Sequence, residues 1–536
     1  MTHPPLRNHS FPHRLLAELR VRHLANILIA ASIFIVLGTT LYPFDFTTED
    51  VDKRWAPFVA PKIENLRSLQ DDAVTNIVLF LPIGVGFGII AVRKRMSMLG
   101  GLGAVTLAGA LLSLFVEVLQ LFLPFRYSSL LDIAANTIGS AVGYMVYIVS
   151  ARPLYQMLTR AVERGREGNA SGWLVAAYCI YLLCVCLITV PLQHSSLIYE
   201  FNKFTYPLVV GNEPTGDKGW NGRMYDLIIT RHGLAPEGVA RYLLGKPLAG
   251  DDARMIVARY VLKGHAPYSD LARLNAPLEW RGGSPDAADT MGASITEKRW
   301  LQTANPAYEL SSSMIETKRF TICFSAQSLS WSDKARIVTV SSSPYQRNFS
   351  VLQLGNDLAV RYRSMTTGIN GTNPQFIVPD VFADSLLHRI VVSLDATQLH
   401  VYIDRIENHY DVELGPGFAL LNRTFPTRGV LDLSSAMKNF HNYLYAALAF
   451  MPLAYMLGLL LTQEHASLVA RLLITTIGVL FPPFLVEEEL VLMTGRSVIH
   501  EHIHTGIAIM IATTVITWSY YKLKPGFFPD EGRVAS

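Results

Sequence analysis

The sequence predicts a multi-domain protein in which a polytopic bundle of about eight transmembrane helices carries an antiparallel β-sandwich. Half of the 536 residues are hydrophobic, and several apolar runs approach the length of about 20 residues that spans a bilayer as a helix. Between the fifth and sixth runs, the spacing of apolar residues changes from helical to alternating, which is typical of β-strands. The net charge of +3 argues against a nucleic-acid partner.

The apolar runs set the predicted order of segments. They predict helices at 24–42, 74–92, 99–123, 129–150, 172–191, 441–461, 467–487 and 502–521. Basic residues cluster in the tails 1–23 and 522–536, in the turn after the second helix and in the loop after the fourth. Because basic residues collect on the cytoplasmic side, both tails are expected to be cytoplasmic, and the long segment between helices five and six is expected to be extracytoplasmic.

Two adjacent apolar helices carry polar side chains that are rare in membrane spans. They are Glu117, Gln120, Asp132 and Asn136, with Arg126 in the turn between the helices. Glu117 and Gln120 share a helix face, and Asp132, Asn136, Gly139 and Gly143 form one stripe on the next helix. Glycines on such a stripe let a neighbouring backbone approach closely. The pattern is compatible with a functional site near the outer membrane face or with an ion pair that only locks the helices.

These residues also carry a family resemblance that covers about 110 residues. The pattern consists of Asn76, the block Phe80-Leu81-Pro82-Ile83-Gly84, Glu117-x-x-Gln120, Pro124-x-Arg126, Asp132, Asn136 and Gly139. In this combination, the segment 24–150 resembles the VanZ-like family of bacterial membrane proteins. The resemblance implies a multi-pass protein of the bacterial inner membrane with a role in the cell envelope. Together with the orientation that the basic residues predict, this places the sandwich in the periplasm. It implies no mechanism.

Residues 195–436 form the predicted sandwich. Alternating runs predict strands near 321–324, 336–340, 349–352, 358–363, 388–394 and 398–403. The runs F-T-I-C-F, H-R-I-V-V-S-L-D and L-H-V-Y-I-D resemble the laminin-G-like branch of the concanavalin A-like lectin/glucanase fold, which implies a jelly-roll. Arg405 departs from the pattern, because the family often has glycine there. The run 220–229 resembles a strand that usually closes this fold, and its early position suggests a permuted strand order.

No pair of carboxylates typical of a glycoside hydrolase is evident in the sandwich, which favours binding over hydrolysis. Trp220, Trp280, Trp300 and Trp331 are candidates for stacking on sugar rings, although the core is the better interpretation of each one taken alone. One cluster has the residue types of a metal site: His500, Glu501, His502 and His504. A polar network beside Glu487 explains this cluster equally well, so no metal or cofactor is predicted.

Helices six to eight resemble helices two to four at a constant offset of 370 residues. The Phe80-x-Pro82 motif aligns with Phe450-x-Pro452, Glu117 with Glu487, and Arg126 with Arg496. The alternatives are a degenerate parallel repeat and a chance alignment of apolar helices. A repeat would make Glu487 and Arg496 a second candidate site, while the first unit keeps the fuller polar set and is expected to carry the activity.

Three functions are compatible with the sequence. The first is a cell-envelope membrane protein that acts in or assists surface glycopolymer or exopolysaccharide processes and binds glycan through its sandwich. The second is a membrane enzyme that acts on a lipid-linked substrate with Glu117 and Asp132 as acid and base groups. The third is a sensor or scaffold whose sandwich binds a partner protein. The expected partners are therefore the lipid bilayer and a glycan or lipid-linked glycopolymer.

Overall fold

The computed structural model describes residues 66–123, 129–167, 170–198, 206–283, 291–424, 429–462 and 468–523, together with scattered positions between 26 and 55. The chain divides into two compact units. The first contains residues 1–169 with 424–426, and the second contains residues 170–423 with 427–536.

The first unit is helical in its described part. Its helices are α1 (Leu66–Arg93), α2 (Met98–Gln120) and α3 (Leu130–Glu167). The described positions of the predicted helix 24–42 are also helical, and Val36 joins Phe80, Ile83 and Val116 in one buried apolar cluster. The predicted helix 129–150 is the first part of α3, which continues through the basic stretch after residue 150 that the sequence predicts as a loop.

Glycines bring α1 and α3 into close contact, as the stripe on the sequence predicts. A Cβ atom on Gly143 would collide with the carbonyl oxygen of Leu81, and one on Gly139 would collide with that of Ile77. From α1, a Cβ atom on Gly84 would collide with the carbonyl of Ser140. The two helices therefore touch backbone to backbone, which fixes the position of the polar residues at the start of α3.

The second unit begins with α4 (Ala170–Ser196) and continues into a β-domain. In chain order the strands are β1 Leu208–Val210, β2 Gly222–Thr230, β3 Ile256–Val261, β4 Leu278–Arg281, β5 Ala293–Ile295, β6 Trp300–Thr303, β7 Arg319–Ser328, β8 Ser332–Ser343, β9 Gln346–Gly355, β10 Asp357–Tyr362, β11 Gln375–Val378, β12 Leu387–Asp395, β13 Gln398–Ile403, β14 Arg405–Glu413 and β15 Val430–Asp432. Short helices lie between them: α5 Pro236–Leu243, α6 Gly250–Arg254, α7 Tyr308–Thr317 and α8 Pro416–Thr424.

The described strands form two sheets. One has the order β15-β11-β10-β9-β8-β1-β6-β4, and the other has the order β14-β13-β12-β7-β2-β3, with β5 paired to β2. Neighbouring strands are antiparallel except β11 and β15. Phe320 of β7 stacks on Phe349 of β9, with ring centroids 5.5 Å apart, so side chains of the two sheets meet in a common core.

Five of the six strands predicted from alternating runs lie within observed strands, and the sixth, 358–363, extends one residue beyond the end of β10. The run that begins at Trp220 also contains a strand, because β2 pairs with β7 inside the smaller sheet. The strand β14 is not among the predicted strands, because its residues 405–411 are mostly polar and give no alternating signal. The jelly-roll arrangement and the laminin-G-like relationship stay predictions.

Three further helices complete the second unit: α9 (Phe440–Leu461), α10 (Leu468–Thr494) and α11 (His500–Leu523). The seventh apolar run predicts a helix to about residue 487, and α10 runs seven residues further, to Thr494. It continues because Leu490 packs into the apolar cluster shared by α4, α9 and α11.

Six helices in the described part of the chain are long and apolar enough to cross a membrane. They are Asn76–Arg93, Met98–Gln120, Leu174–Ser196, Phe440–Leu461, Val469–Thr494 and His500–Lys522. They correspond to predicted helices two, three, five, six, seven and eight. Of the other two predicted helices, 24–42 is described only in part, and 129–150 is present as helix without meeting the same measure of length and apolar composition.

Within the second unit, one end of the β-domain rests on the ends of α4 and α10. Arg319, at the start of β7, donates to the backbone carbonyls of Thr494 and Gly495, each at 3.3 Å. The hydroxyl of Tyr362, at the end of β10, donates to the carbonyl of Ser196 at 3.1 Å. We call this end of the β-domain its base. The opposite end, where β7 passes into β8 and β12 begins, is its tip.

Candidate functional site

In the first unit, the polar side chains predicted as a site lie around the junction of α2 and α3. Glu117 is only 2% exposed, and its Oε2 accepts a hydrogen bond from the backbone N–H of Ser129 at 2.8 Å. Asp132, in the first turn of α3, accepts a hydrogen bond from the side-chain amide of Asn76 at 2.9 Å. A carboxylate at a helix N-terminus is stabilised by the free N–H groups there. Both acids therefore lie at the start of α3.

The two amides of the set bind different partners. Asn136 donates to the hydroxyl of Ser113 at 2.9 Å, and its buried Oδ1 has no hydrogen-bond partner among the described residues. Gln120 donates to the carbonyl of Thr40 at 2.9 Å. Arg126 lies outside the described residues. Four of the five predicted residues thus join α1, α2, α3 and the preceding helical segment through polar contacts.

The second unit has a denser cluster at the junction of α10 and α11. Glu487 of α10 is 2% exposed, and four donors surround its carboxylate. Arg496 binds it through both terminal nitrogens, at 2.5 and 2.8 Å. The backbone N–H of Ile499 donates to Oε1 at 2.6 Å, and Nδ1 of His502 lies 3.0 Å from Oε2. The bidentate guanidinium geometry is the strongest form of such a pair.

His502 links this cluster to the β-domain. Its Nε2 lies 2.8 Å from Oε2 of Glu413, the last residue of β14. Because both ring nitrogens face carboxylate oxygens, the ring donates through both only as an imidazolium. The same Oε2 of Glu413 also accepts a hydrogen bond from the side-chain amide of Asn442 at 2.7 Å. An edge strand of the β-domain thus enters the polar network of the helices.

A cavity of about 110 Å³ adjoins this cluster. Near the base of the β-domain its wall is polar and includes Glu413, Asn442, Glu501 and His502. Deeper in the helices its wall is apolar and includes Ala446, Phe450, Pro483, Val486 and Leu490. The cavity is therefore amphipathic along its length, with acceptor groups at one end and hydrocarbon at the other.

Corresponding contacts in the two units connect positions that differ by the same 370 residues. Glu117 binds the N–H of Ser129, and Glu487 binds the N–H of Ile499. In place of the Asn136–Ser113 hydrogen bond, Gly506 packs against Pro483. In both of these contacts, each residue of the second unit lies 370 positions after its counterpart in the first unit.

A third pair of contacts has the same offset. Gly88 lies against Tyr144 and Tyr147 in the first unit, and Gly458 lies against Thr514 and Thr517 in the second. An alignment of the two sequences does not use the information on which residues touch each other. The alignment alone therefore cannot produce contacts that match in both units.

The histidine cluster does not converge on one point. His502 turns toward the two glutamates, whereas His500 and His504 are exposed and stack on each other, with ring centroids 6.5 Å apart. Among the described residues, no group of three or more His, Cys, Asp or Glu side chains is placed to hold a metal ion. The polar-network interpretation therefore fits His502, and the two other histidines lie outside that network.

The four candidate tryptophans lie in different environments. Trp220 is fully buried and donates to Gln353 at 2.9 Å, so its indole belongs to the core and offers no face to a ligand. Trp280 and Trp300 are partly buried, and Arg299 lies over the Trp280 ring at 5.3 Å from its centroid. Trp331 is 70% exposed at the tip. The sequence could not separate these cases, because burial depends on both sheets.

Sequence reasoning missed Glu413 and the bridging role of His502. Glu413 ends a polar edge strand and lies 89 residues before His502, so no local pattern connects the two. The only available signal was His502 itself, which aligns with Asp132 at the offset of 370 and therefore occupies a polar position of the first unit.

Comparisons with known proteins identify part of the chain. Residues 23–151 match the model of the VanZ/LLP1 family. The match covers about a quarter of the chain and contains Glu117, Gln120, Asp132 and Asn136. Searches of curated proteins and of solved structures return no match.

Proposed function

We propose that the protein is a bacterial inner-membrane protein of the cell envelope that acts in or assists surface glycopolymer or exopolysaccharide processes, and that its β-domain binds glycan in the periplasm. The VanZ-like match at residues 23–151 and the apolar helices fit a membrane protein of the cell envelope. The basic clusters of the sequence support cytoplasmic termini. The glycan-binding role rests on one surface of the β-domain.

The observation that carries the glycan role is the exposure of the Trp331 side chain at the tip. The Nε2 of Gln353 donates to the carbonyl of Ser330 at 3.1 Å and to that of Gly355 at 2.8 Å, which holds the turn that presents the indole. Gly355 lies directly beside the ring. Leu386, 64% exposed, lies at the same end of the domain. An exposed aromatic face with apolar neighbours is a typical binding surface.

The test uses the full-length protein in nanodiscs and measures its binding to purified envelope polysaccharide. Trp331→Ala is expected to weaken binding several-fold, because it removes the stacking face. Tyr345→Ala is the matched control, since Tyr345 is 75% exposed in the hairpin at the other end of the same two strands. Equal effects of the two variants, or no binding by the wild type, would contradict the glycan role.

The sensor alternative is favoured by the bond between Glu413 and His502. This contact gives ligand-induced changes in the β-domain a direct route to the membrane helices. In a sensor, the ligand of the β-domain would be a partner protein. Crosslinking of the tip to a protein in intact cells, with no retention of polysaccharide, would favour this alternative.

We also propose that α9, α10 and α11 are a degenerate copy of α1, α2 and α3. The support is the set of contacts that share the offset of 370 in both partners. In this proposal the second copy has exchanged the Asn136–Ser113 hydrogen bond for the packing of Gly506 on Pro483. It has kept the glutamate that binds the N-terminal backbone of its third helix.

A further inference from the structure

The carboxylate of Glu413 is only partly used by the protein. Its Oε2 accepts hydrogen bonds from His502 and Asn442, while Oε1 accepts none from any described residue. The residue is only 9% exposed and lines the cavity. An ionised carboxylate oxygen accepts more than one hydrogen bond, so Oε1 keeps acceptor capacity for a donor that a ligand in the cavity supplies.

The charges around the cavity define what that ligand must offer. Arg496 and the imidazolium of His502 balance the two buried carboxylates. Glu501, at the exposed end of the cavity, adds a further negative charge, and it accepts a hydrogen bond from the hydroxyl of Tyr443 at 3.2 Å. The polar end of the cavity therefore presents acceptors and a net negative charge, which disfavours ligands with a net negative charge and favours ammonium or hydroxyl groups.

The apolar end of the cavity defines the rest of the ligand. Ala446 and Phe450 lie one and two turns into α9 from Asn442, and Pro483 lies one turn deeper in α10 than Glu487. Their side chains line the cavity without polar atoms. A molecule with a hydrogen-bond-donating headgroup and a hydrocarbon chain matches the change from polar to apolar lining along the cavity.

We infer that this cavity binds a membrane lipid whose headgroup donates hydrogen bonds through an ammonium or hydroxyl group to Oε1 of Glu413. The hydrocarbon chain lies against Ala446 and Phe450. The geometry of Glu413, the acceptors at the mouth and the apolar wall carry this inference. It does not depend on whether the β-domain binds glycan.

The test measures lipid binding to the full-length protein in detergent by native mass spectrometry. Three probes separate the chemistries: phosphatidylethanolamine offers an ammonium with N–H donors, a monoglucosyl diacylglycerol offers hydroxyls, and phosphatidylcholine has no donor in its headgroup. At least one of the first two is expected to bind about tenfold more tightly than phosphatidylcholine, as loss of a hydrogen bond to a charged group predicts. Whichever of these two lipids binds more tightly identifies the donor group as an ammonium or a hydroxyl.

Glu413→Gln keeps the shape of the side chain and replaces the free acceptor with a donor. It is expected to abolish the preference, whereas Glu488→Gln is expected to retain it, because Glu488 is exposed on the same helix as Glu487 and does not line the cavity. Equal binding of all three lipids by the wild type, or an unchanged preference in Glu413→Gln, would overturn the inference.

A second variant keeps the inference testable if the Glu413→Gln protein fails to fold. Ala446→Leu fills the apolar end of the cavity and leaves every charged group in place. It is expected to weaken the preferred lipid at least tenfold. Unchanged affinity in Ala446→Leu would also overturn the inference, because the hydrocarbon chain would then lie elsewhere.

Discussion

Oε2 of Glu413 lies 2.8 Å from Nε2 of His502, although the first residue ends a β-strand and the second begins a membrane helix. Through the other nitrogen of the same ring, the strand is connected to Glu487 and its bound Arg496. The β-domain and the C-terminal helices therefore share one hydrogen-bonded network. A displacement of the end of β14 must move or break a charged contact inside the helices.

Replacing His502 with alanine is expected to lower the free energy of unfolding by about 1–3 kcal/mol, because two buried carboxylates lose a shared donor. Thermal unfolding of the purified full-length protein measures the effect. His504→Ala provides the control, since His504 is exposed two residues away and surface changes are usually within about 0.5 kcal/mol. Similar melting temperatures for the two variants would show that the network contributes little.

Gly143→Ala is expected to destabilise the first unit by about 1–3 kcal/mol, since a Cβ there collides with the backbone of α1. Gly103→Ala tests the same substitution where nothing lies within 4 Å. That change is expected to be neutral or stabilising by up to about 1 kcal/mol, because alanine favours a helix over glycine. The melting temperatures of both variants check this, and a stable Gly143→Ala protein would refute the close approach of α1 and α3.

The repeat proposal predicts that a polar pair from the first unit fits into the second. Gly506→Asn alone is expected to destabilise, because a side chain there meets Pro483 and Phe450. Adding Pro483→Ser restores the arrangement of Asn136 and Ser113, and it is expected to recover at least half of the lost melting temperature. If the double variant is as unstable as the sum of the single variants, the two junctions are not equivalent.

The two buried glutamates are expected to differ in their roles. Glu487→Gln should mainly lower stability, because it weakens charge-assisted bonds from Arg496 and His502. Glu117→Gln should leave a folded, correctly localised protein that fails to complement a strain lacking the gene. Complementation and membrane abundance of both variants are the measurements. Equal loss of complementation at equal abundance would contradict the assignment of the activity to the first unit.

A pH effect is expected at the tip of the β-domain. His388 lies between Asp404, at 2.7 Å, and Asp384, at 3.0 Å. The hydrogen bond with Asp404 is the main cause that raises the pKa of His388 above 6.5. Because the pKa is higher in the folded state, the stabilisation is fully present below about pH 6.5 and is lost as the pH rises through the folded-state pKa.

Asp404→Asn tests this effect, since Asn tolerates the φ of 61° at this position. The melting temperature of the wild type is expected to exceed that of the variant most at about pH 6, below the ordinary pKa of histidine, and progressively less at higher pH. A difference that is constant with pH would exclude His388 as its source.

The sequence predicted those parts of the fold that depend on local periodicity. Strands such as β12 were found because alternate residues face a core. The strand β14 was missed because it lies at a sheet edge, where polar residues on both faces remove the alternation. Of the candidate site residues, Glu117 and Asp132 both lie at the start of α3, and their role as a site stays a prediction. Glu413 could not be associated with Glu487, because their proximity depends on how the β-domain rests on the helices.

The two chain segments that lead into and out of the β-domain meet at the end of β14. Gln193, near the end of α4, donates to the carbonyl of Leu414 at 3.4 Å, and Asn439, just before α9, accepts from the backbone N–H of Glu413 at 3.2 Å. An insertion whose ends lie side by side can enter a helical hairpin without separating its two arms. The helices α4 and α9 therefore lie close enough at this end for a short loop to replace the whole β-domain, and such an exchange would keep the direct contacts between them, such as the hydrogen bond of Thr189 with Tyr445.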